Sequence, residues 1–173
     1  LLASFSPAVK AEQSRQGSRA QFEGHDWKTE ITDDLRQFLG VIDTFFFATA
    51  SADGRPYIQH RGGPPGFLKP IGSHTLAFAD FTGNRQFITL GHLTENDRAH
   101  IFILHFATQQ RVKFWGRARI IEKDIELMER LVDPAIGLMT RTIAKAQTRG
   151  EIRPGDPRHH AFSLIAPMLL GVL

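Results

Sequence analysis

The chain has 173 residues, of which 42% are hydrophobic and 23% charged, enough for one globular domain with a hydrophobic core. It contains no cysteine, which excludes disulfides, thiolate metal sites and cysteine nucleophiles. Its net charge of +3 comes from dispersed basic residues, so we expect no nucleic-acid partner. No apolar run approaches the roughly 18 residues of a membrane helix, and the start lacks a signal-peptide n-region. We therefore expect a cytoplasmic protein without a membrane partner, and the missing initial Met suggests a fragment or a processed chain.

Residues 1–42 are predicted to form an N-terminal helical segment. Ser6-Pro7 favours a helix start, because proline suits the first helical turn. Thr32 offers an N-cap, and Asp33-Asp34 place carboxylates in the turn that follows. Apolar residues at helical spacing come next, so the pattern predicts a helix over 33–41.

Residues 43–122 are predicted to form a β core. Short β-prone runs are separated by turn signals, and Asp53-Gly54 is typical of a hairpin. The predicted strands are 45–50, 56–60, 66–71, 75–79, 99–106 and 111–121, with a helix over 84–93. Six strands in about 80 residues, joined by short turns, indicate a small closed antiparallel barrel with helices packed outside.

The last segment, residues 123–173, is predicted to be a helical tail. Helical patterns cover 124–132 and 134–149, and Gly150 is a suitable C-cap. Residues 158–172 are apolar enough for a buried or interface helix. The predicted fold is therefore mainly β, with flanking helices and a helical C-terminal tail.

Two strand ends carry groups suited to a phosphate. One predicted strand delivers Arg61 into a Gly-Gly-Pro-Pro-Gly turn, where glycine permits close approach and arginine binds phosphate bidentately. Another leads to Asn84 and Arg85 at a predicted helix start, which is a favourable position for an anion. An ordinary tight loop, an N-cap and a surface arginine remain the structural alternatives.

A third group of candidates lies on the last predicted strand. Lys113, Trp115 and Arg117 alternate onto one face, where two cations beside an indole could hold a phosphate and cover an aromatic ring. An exposed amphipathic strand face is the alternative. The eight histidines show neither HxxxH nor HExxH spacing, so no metal site is expected.

Three motifs together resemble a known family. They are FFFATASADGRPYIQHRGGPPGFLK, LAFADFTGNRQFITLGHLTEN and VKFWGRARIIE. The segment from about Phe5 to Leu131 resembles the FMN-binding split-barrel proteins related to pyridoxamine 5′-phosphate oxidase. From about Asp133 onwards, the chain instead resembles the last helices of tetracycline-repressor-type regulators.

The first resemblance implies a six-stranded split barrel, a homodimer, and FMN at the subunit interface. It implies that the strand through Gln59, His60, Arg61 and Gly62 contacts the flavin and its phosphate, and that Lys69 lies near the isoalloxazine ring. Asn84 and Arg85 would hold the phosphate from the helix start. Lys113, Trp115 and Arg117 would belong to the strand that reaches the flavin from the partner subunit.

The function implied by this resemblance is that of an FMN-dependent oxidoreductase acting on a small redox substrate. Its catalytic side chain is unassigned, although His60 is a candidate proton donor. A module that binds a flavin or haem-type ligand without turnover is the alternative, because the same residues would bind the ligand in either case. A helical sensor dimer based on the tail is the third hypothesis.

Overall fold

The computed structural model describes residues 5–24, 28–80, 85–121, 125–157 and 168–172. The helices are α1 (Pro7–Arg15), α2 (Arg19–Phe22), α3 (Asp33–Val41), α4 (Ile88–Glu95) and α5 (Ile125–Thr148). The strands are β1 (Thr44–Ala50), β2 (Pro56–Gly62), β3 (Lys69–Pro70), β4 (Leu76–Asp80), β5 (Arg98–His105), β6 (Gln110–Ile121) and β7 (Met168–Val172). None of the helices in these ranges is long and apolar enough to cross a membrane.

The chain divides into two compact units, Leu1–Glu30 and Ile31–Leu173. In the first unit, α1 begins after Ser6, whose side chain accepts a hydrogen bond from the Val9 amide at 3.3 Å. Pro7 occupies the first turn, as the sequence predicts. The division of the chain at residues 42 and 122 stays a prediction.

The second unit is built on one antiparallel sheet. Its seven described strands follow the order β2-β1-β5-β6-β7-β4-β3, and every pairing is antiparallel. β1 and β2 form the predicted hairpin, with Gly54 at φ 88° in its turn. That left-handed backbone favours glycine, which explains the Asp-Gly signal.

The sheet curls around its core. Phe45 on β1 meets Phe78 on β4 at 5.0 Å between ring centroids, although four positions in the sheet order separate the two strands. Phe67 also stacks on Phe45, with ring centroids 5.2 Å apart. Aromatic rings from distant strands therefore share one interior. The fold is mainly β, as predicted.

The predicted helical tail is wrong at its end. Met168–Val172 form β7, which pairs with β4 on one side and with β6 on the other. A short apolar run fits a buried strand as well as a helix, so periodicity alone does not distinguish them. The backbones of β4 and β6 supply the hydrogen-bond partners that decide the strand. The described sheet accordingly has seven strands instead of six.

Two other elements differ from the predicted bounds. The strand expected over 66–71 is reduced to Lys69–Pro70, because Gly66 at φ 76° turns the chain immediately before it. The helix expected from residue 84 begins at Ile88, because Arg85 (φ 60°) and Phe87 (φ 53°) adopt left-handed backbone. Left-handed residues cannot continue a right-handed helix.

The two helices expected on either side of Pro134 are one continuous helix, α5. Its buried residues lie at helical spacing on both sides of the proline, and they pack with Ala77 and Ala79 of β4. These helix residues are Leu131, Ile136 and Ile143. Proline removes one helical hydrogen bond, at a cost of about 3 kcal/mol. The packing of a single apolar stripe outweighs that cost.

Candidate functional site

The N-terminus of α4 is suited to an anion. Its N-cap, Phe87, provides no side-chain cap, and its first turn contains no acidic residue. The first amides of a helix have no partner within the helix, and they carry partial positive charge. Thr89 is 2% exposed, and its hydroxyl has no hydrogen-bond partner among the described residues. The start of α4 therefore combines the backbone amides of a helix N-terminus with a buried hydroxyl that has no partner in the described part of the chain.

Arg85 precedes this helix start and is exposed. Among the described residues, no hydrogen bond or ion pair to its guanidinium is found. Arg85 and Phe87 both hold left-handed backbone, which costs about 1 kcal/mol or more per non-glycine residue. Strain of this kind often accompanies a functional turn.

The packing of α4 fixes its direction. The Thr49 hydroxyl and His92 Nδ1 are 3.1 Å apart, and the Glu95 carboxylate accepts a hydrogen bond from the Ala52 amide at 3.0 Å. The helix therefore runs in the same direction as β1. Four helical residues span about 6 Å, the length of about two strand residues. Gln59 is half-buried on β2.

Arg61 has an internal partner. Its Nε lies 2.8 Å from Asp80 Oδ1, and its Nη2 donates to Asp80 Oδ2 at 3.1 Å. The two side chains are only 11% and 6% exposed. Burial raises the pKa of Asp80, while the Arg61 charge lowers it and offsets part of this effect. The charge of Arg61 is therefore largely compensated inside the barrel.

The glycines after Arg61 have a structural explanation. A Cβ on Gly63 would lie 2.6 Å from Phe67 Cγ, and the Gly63 amide donates to the Asp43 carbonyl at 2.9 Å. Gly66, at φ 76°, donates to the Ile42 carbonyl at 2.8 Å. Packing thus accounts for both glycines, and their amides are already used within the chain.

The outer face of the sheet carries a different set of the predicted residues. Trp115 stacks on His100, with ring centroids 4.8 Å apart and planes at 20°. Lys113 Nζ lies 5.9 Å from the ring centroids of Phe102 and Trp115. Burial lowers the pKa of His100, and the Lys113 charge lowers it further. The result is an aromatic surface beside a cation, with a histidine whose pKa is lowered.

The remaining predicted residues are dispersed. His60 is exposed on the outer face, where it hydrogen-bonds the Thr44 hydroxyl. Gly62 is exposed at the end of β2. Arg117 forms an ion pair with Asp97, with Nη1 2.6 Å from Oδ2, and this partner raises the pKa of Arg117.

Lys69 is half-buried on β3, where its backbone pairs with Ala77. Asn84 lies outside the described residues. The geometry therefore groups Lys113 with Trp115. Arg61 is held by Asp80, and Arg117 by Asp97.

Three residues of this region were not predicted from the sequence, namely Thr89, Asp80 and His100. Thr89 follows the GNRQ motif by a few residues, so a hydroxyl near a helix start was available as a signal. The pairing of Asp80 depends on a contact between strands that are distant in the chain. In the described part of the chain, no group of three or more acidic or histidine side chains could hold a metal ion.

A mainly β chain whose antiparallel sheet curls around one core, with helices packed against it, has the architecture of a split-barrel protein. The family model described as pyridoxamine 5′-phosphate oxidase matches residues 31–166. The chain belongs to that family. This match extends well past Asp133, into the segment that resembles the last helices of tetracycline-repressor-type regulators.

Solved structures support the same fold. A protein from Lactobacillus delbrueckii named for pyridoxamine 5′-phosphate oxidase is 10% identical, with a TM-score of 0.50 and coverage of 84% of this chain and 90% of its own. HupZ from Group A Streptococcus is 16% identical, with a TM-score of 0.50 and coverage of 82% and 87%. At these identities the likeness concerns the fold alone.

A third structure is a pyridoxamine 5′-phosphate oxidase-related, FMN binding protein from Nostoc punctiforme. It is 17% identical, with a TM-score of 0.41 and coverage of 98% of this chain and 82% of its own. A search of curated protein sequences finds no match to this chain.

Proposed function

We propose that this chain is an FMN-binding flavoprotein that acts as an oxidoreductase on a small-molecule substrate. The observation that carries the proposal is the start of α4, which has no side-chain cap, follows Arg85 and contains Thr89, whose buried hydroxyl has no partner among the described residues. A phosphate ester accepts hydrogen bonds from amides and guanidinium groups at such a site. Membership of the pyridoxamine 5′-phosphate oxidase family supports the assignment of this anion, within the proposal, to the phosphate of FMN.

Within this proposal, Arg85 supplies the charge and the first amides of α4 orient the phosphate. Thr89 adds a buried hydroxyl for which the described residues supply no partner. Asn84 would add a neutral amide donor. Arg61 was the other predicted phosphate ligand, but its compensation by Asp80 favours Arg85 for this role.

The isoalloxazine ring would lie along the edge of β2, between Gln59 on the inner face and His60 on the outer face, and Lys69 would stabilise negative charge on the reduced ring. When bound, FMN supplies the electron or hydride transfer itself. The chain supplies binding, orientation and electrostatics. No described side chain is assigned as a nucleophile or as a general base.

A homodimer would complete the site from the outer face of the sheet. Ile58 and Trp115 are 60% and 45% exposed, and they lie on this face in the same cross-strand row as His100. Exposed apolar side chains grouped on one sheet face commonly mark an interface. The proposal assigns this face to a second copy, whose Lys113 and Trp115 would cover the flavin.

The test is an FMN titration of the purified chain and of the Arg85→Ala variant, in which quenching of flavin fluorescence reports binding. We expect Arg85→Ala to weaken binding roughly 10- to 150-fold, which corresponds to the loss of a charge-assisted hydrogen bond worth about 1.5–3 kcal/mol. Arg153→Ala is the matched control, because Arg153 is an exposed arginine in the loop after α5. Equal affinities of Arg85→Ala and the control would overturn the phosphate assignment.

Thr89→Val gives a second, independent measurement. If FMN uses the hydroxyl, the variant binds FMN more weakly. Without FMN, we expect the variant to be at least as stable as the parent, because the substitution removes a buried hydroxyl that has no partner in the described part of the chain. A chain that ignores FMN but takes up haem would favour the non-catalytic binding alternative.

A further inference from the structure

A groove separates α3 from the hairpin of β5 and β6. Its volume is about 570 Å³, within the usual range of small-molecule sites. The groove lies at the end of the barrel where β1 begins, because α3 ends just before β1. The C-terminal end of α4 packs at the other end of β1. The groove shares no lining residue with the proposed FMN site.

The floor of the groove is apolar and partly aromatic. Leu35 and Phe38 come from one side of α3, and Val112 comes from β6, and all three are half-buried. The Phe38 ring meets the His105 imidazole edge-on, with centroids 6.2 Å apart. This floor suits a flat ring, because aromatic pairs prefer edge-to-face or offset contacts.

The rim carries one charge of each sign. Asp34 lies on the α3 side, and Arg111 lies on the β6 side. Both side chains are exposed, and neither makes an ion pair or a side-chain hydrogen bond in the described parts of the chain. By contrast, Arg36 on the same helix donates to the Gly72 carbonyl at 2.8 Å. Two opposite, uncompensated charges therefore flank an apolar floor.

We propose that this groove binds a small aromatic zwitterion, a molecule that joins a flat ring to an ammonium and a carboxylate. The ring would lie on Phe38 and His105, Arg111 would hold the carboxylate, and Asp34 would hold the ammonium. An anion alone would meet repulsion from Asp34, and a cation alone would meet repulsion from Arg111. The inference stands apart from FMN binding.

The test is a ligand-observed NMR titration of the full chain with four probes. L-Tryptophan carries the ring and both charges, tryptamine lacks the carboxylate, indole-3-propionate lacks the ammonium, and L-alanine lacks the ring. We expect saturable binding of tryptophan, and binding about fivefold weaker for each indole that lacks a charge, as suits exposed ionic contacts. L-Alanine should show no saturable binding.

Variants of the rim charges localise the binding. Arg111→Gln and Asp34→Asn should each weaken tryptophan binding about fivefold and bring it close to the affinity of one singly charged probe. Arg119→Gln and Asp33→Asn are the matched controls. Arg119 is an exposed residue of the same strand, Asp33 shares the first turn of α3, and neither lines the groove.

Two results would overturn the proposal. One is the absence of saturable tryptophan binding to the parent chain. The other is binding that Arg111→Gln and Asp34→Asn leave unchanged, or that tryptamine and indole-3-propionate match. FMN titration of the same samples is independent, so a failure here leaves the proposed flavin function untouched, and the reverse also holds.

Discussion

Arg61 and Asp80 form a buried ion pair that joins β2 to β4, with Nε 2.8 Å from Oδ1. The two strands stand five positions apart in the sheet order, so the pair links parts of the sheet that share no backbone hydrogen bond. It acts together with the contact between the Phe45 and Phe78 rings, which joins β1 to β4. A charged pair and an aromatic pair therefore hold the curled sheet together.

Arg61→Leu should destabilise the fold strongly, because it leaves the Asp80 carboxylate buried without its partner. We expect the free energy of unfolding to fall by about 3–5 kcal/mol, measured by urea denaturation. The double variant Arg61→Leu/Asp80→Leu should recover most of this loss, since it removes both charges. A single variant as stable as the parent would show that the pair does not support the barrel.

The same pair makes a prediction about pH. Because burial raises the pKa of Asp80, the folded state holds that proton more tightly than the unfolded chain does. In the pH range between the unfolded-state and the folded-state pKa of Asp80, the contribution of this residue to the free energy of unfolding therefore falls as the pH rises. Arg61→Leu removes the offsetting charge, so its unfolding free energy should fall more steeply than that of the parent from about pH 4 upwards. Parallel profiles would contradict this.

His100 should give the opposite dependence on pH. Burial, and then Lys113, lower its pKa below the ordinary value near 6.5. Its contribution to stability is present above about pH 6.5 and is lost as the pH falls through the lowered folded-state pKa. His100→Gln cannot titrate, so it should lose less stability between pH 7 and pH 5, as measured by thermal unfolding. An unchanged slope would exclude His100 as the source.

Two glycine substitutions should act in opposite directions. Gly63→Ala places a Cβ 2.6 Å from Phe67 Cγ, so we expect a loss of about 1–3 kcal/mol through overpacking. Gly40→Ala lies within α3 and meets nothing within 4 Å, so it should stabilise the fold by about 0.5–1 kcal/mol. Urea denaturation of both variants checks the pair, and a neutral Gly63→Ala would refute the packing explanation of the loop.

Ile58→Lys tests the proposed homodimer. The side chain is 60% exposed in the single chain, so the substitution should leave the fold of one subunit intact. At an apolar interface, by contrast, two added charges would be desolvated. We expect sedimentation velocity to show a dimer for the parent and a monomer for the variant. Val41→Lys, on the exposed part of α3, is the control that should remain dimeric.

Helix caps and turns that depend on residues close together in the chain could be predicted from the sequence. Thr32 caps α3 by accepting a hydrogen bond from the Leu35 amide at 3.4 Å, and the Asp53-Gly54 signal gives the β1–β2 hairpin. Both depend on residues within a few positions. β7 depends instead on the free edges of β4 and β6, which no local pattern contains.

The candidate site shows the same division. The position of Arg85 before a helix could be predicted from the GNRQ motif, although the helix begins later because two residues hold left-handed backbone. The pairing of Arg61 with Asp80 could not be predicted, since it requires the curl of the whole sheet. A guanidinium suited to phosphate looks the same in sequence whether or not it has an internal partner.

The most direct test of the proposed function is the absorbance spectrum of the purified chain, recorded after incubation with FMN and removal of the unbound flavin. The proposal predicts flavin bands in the near-ultraviolet and blue that stay with the parent protein and are largely lost from Arg85→Ala. A parent chain that elutes colourless after FMN has been added would contradict the flavoprotein assignment.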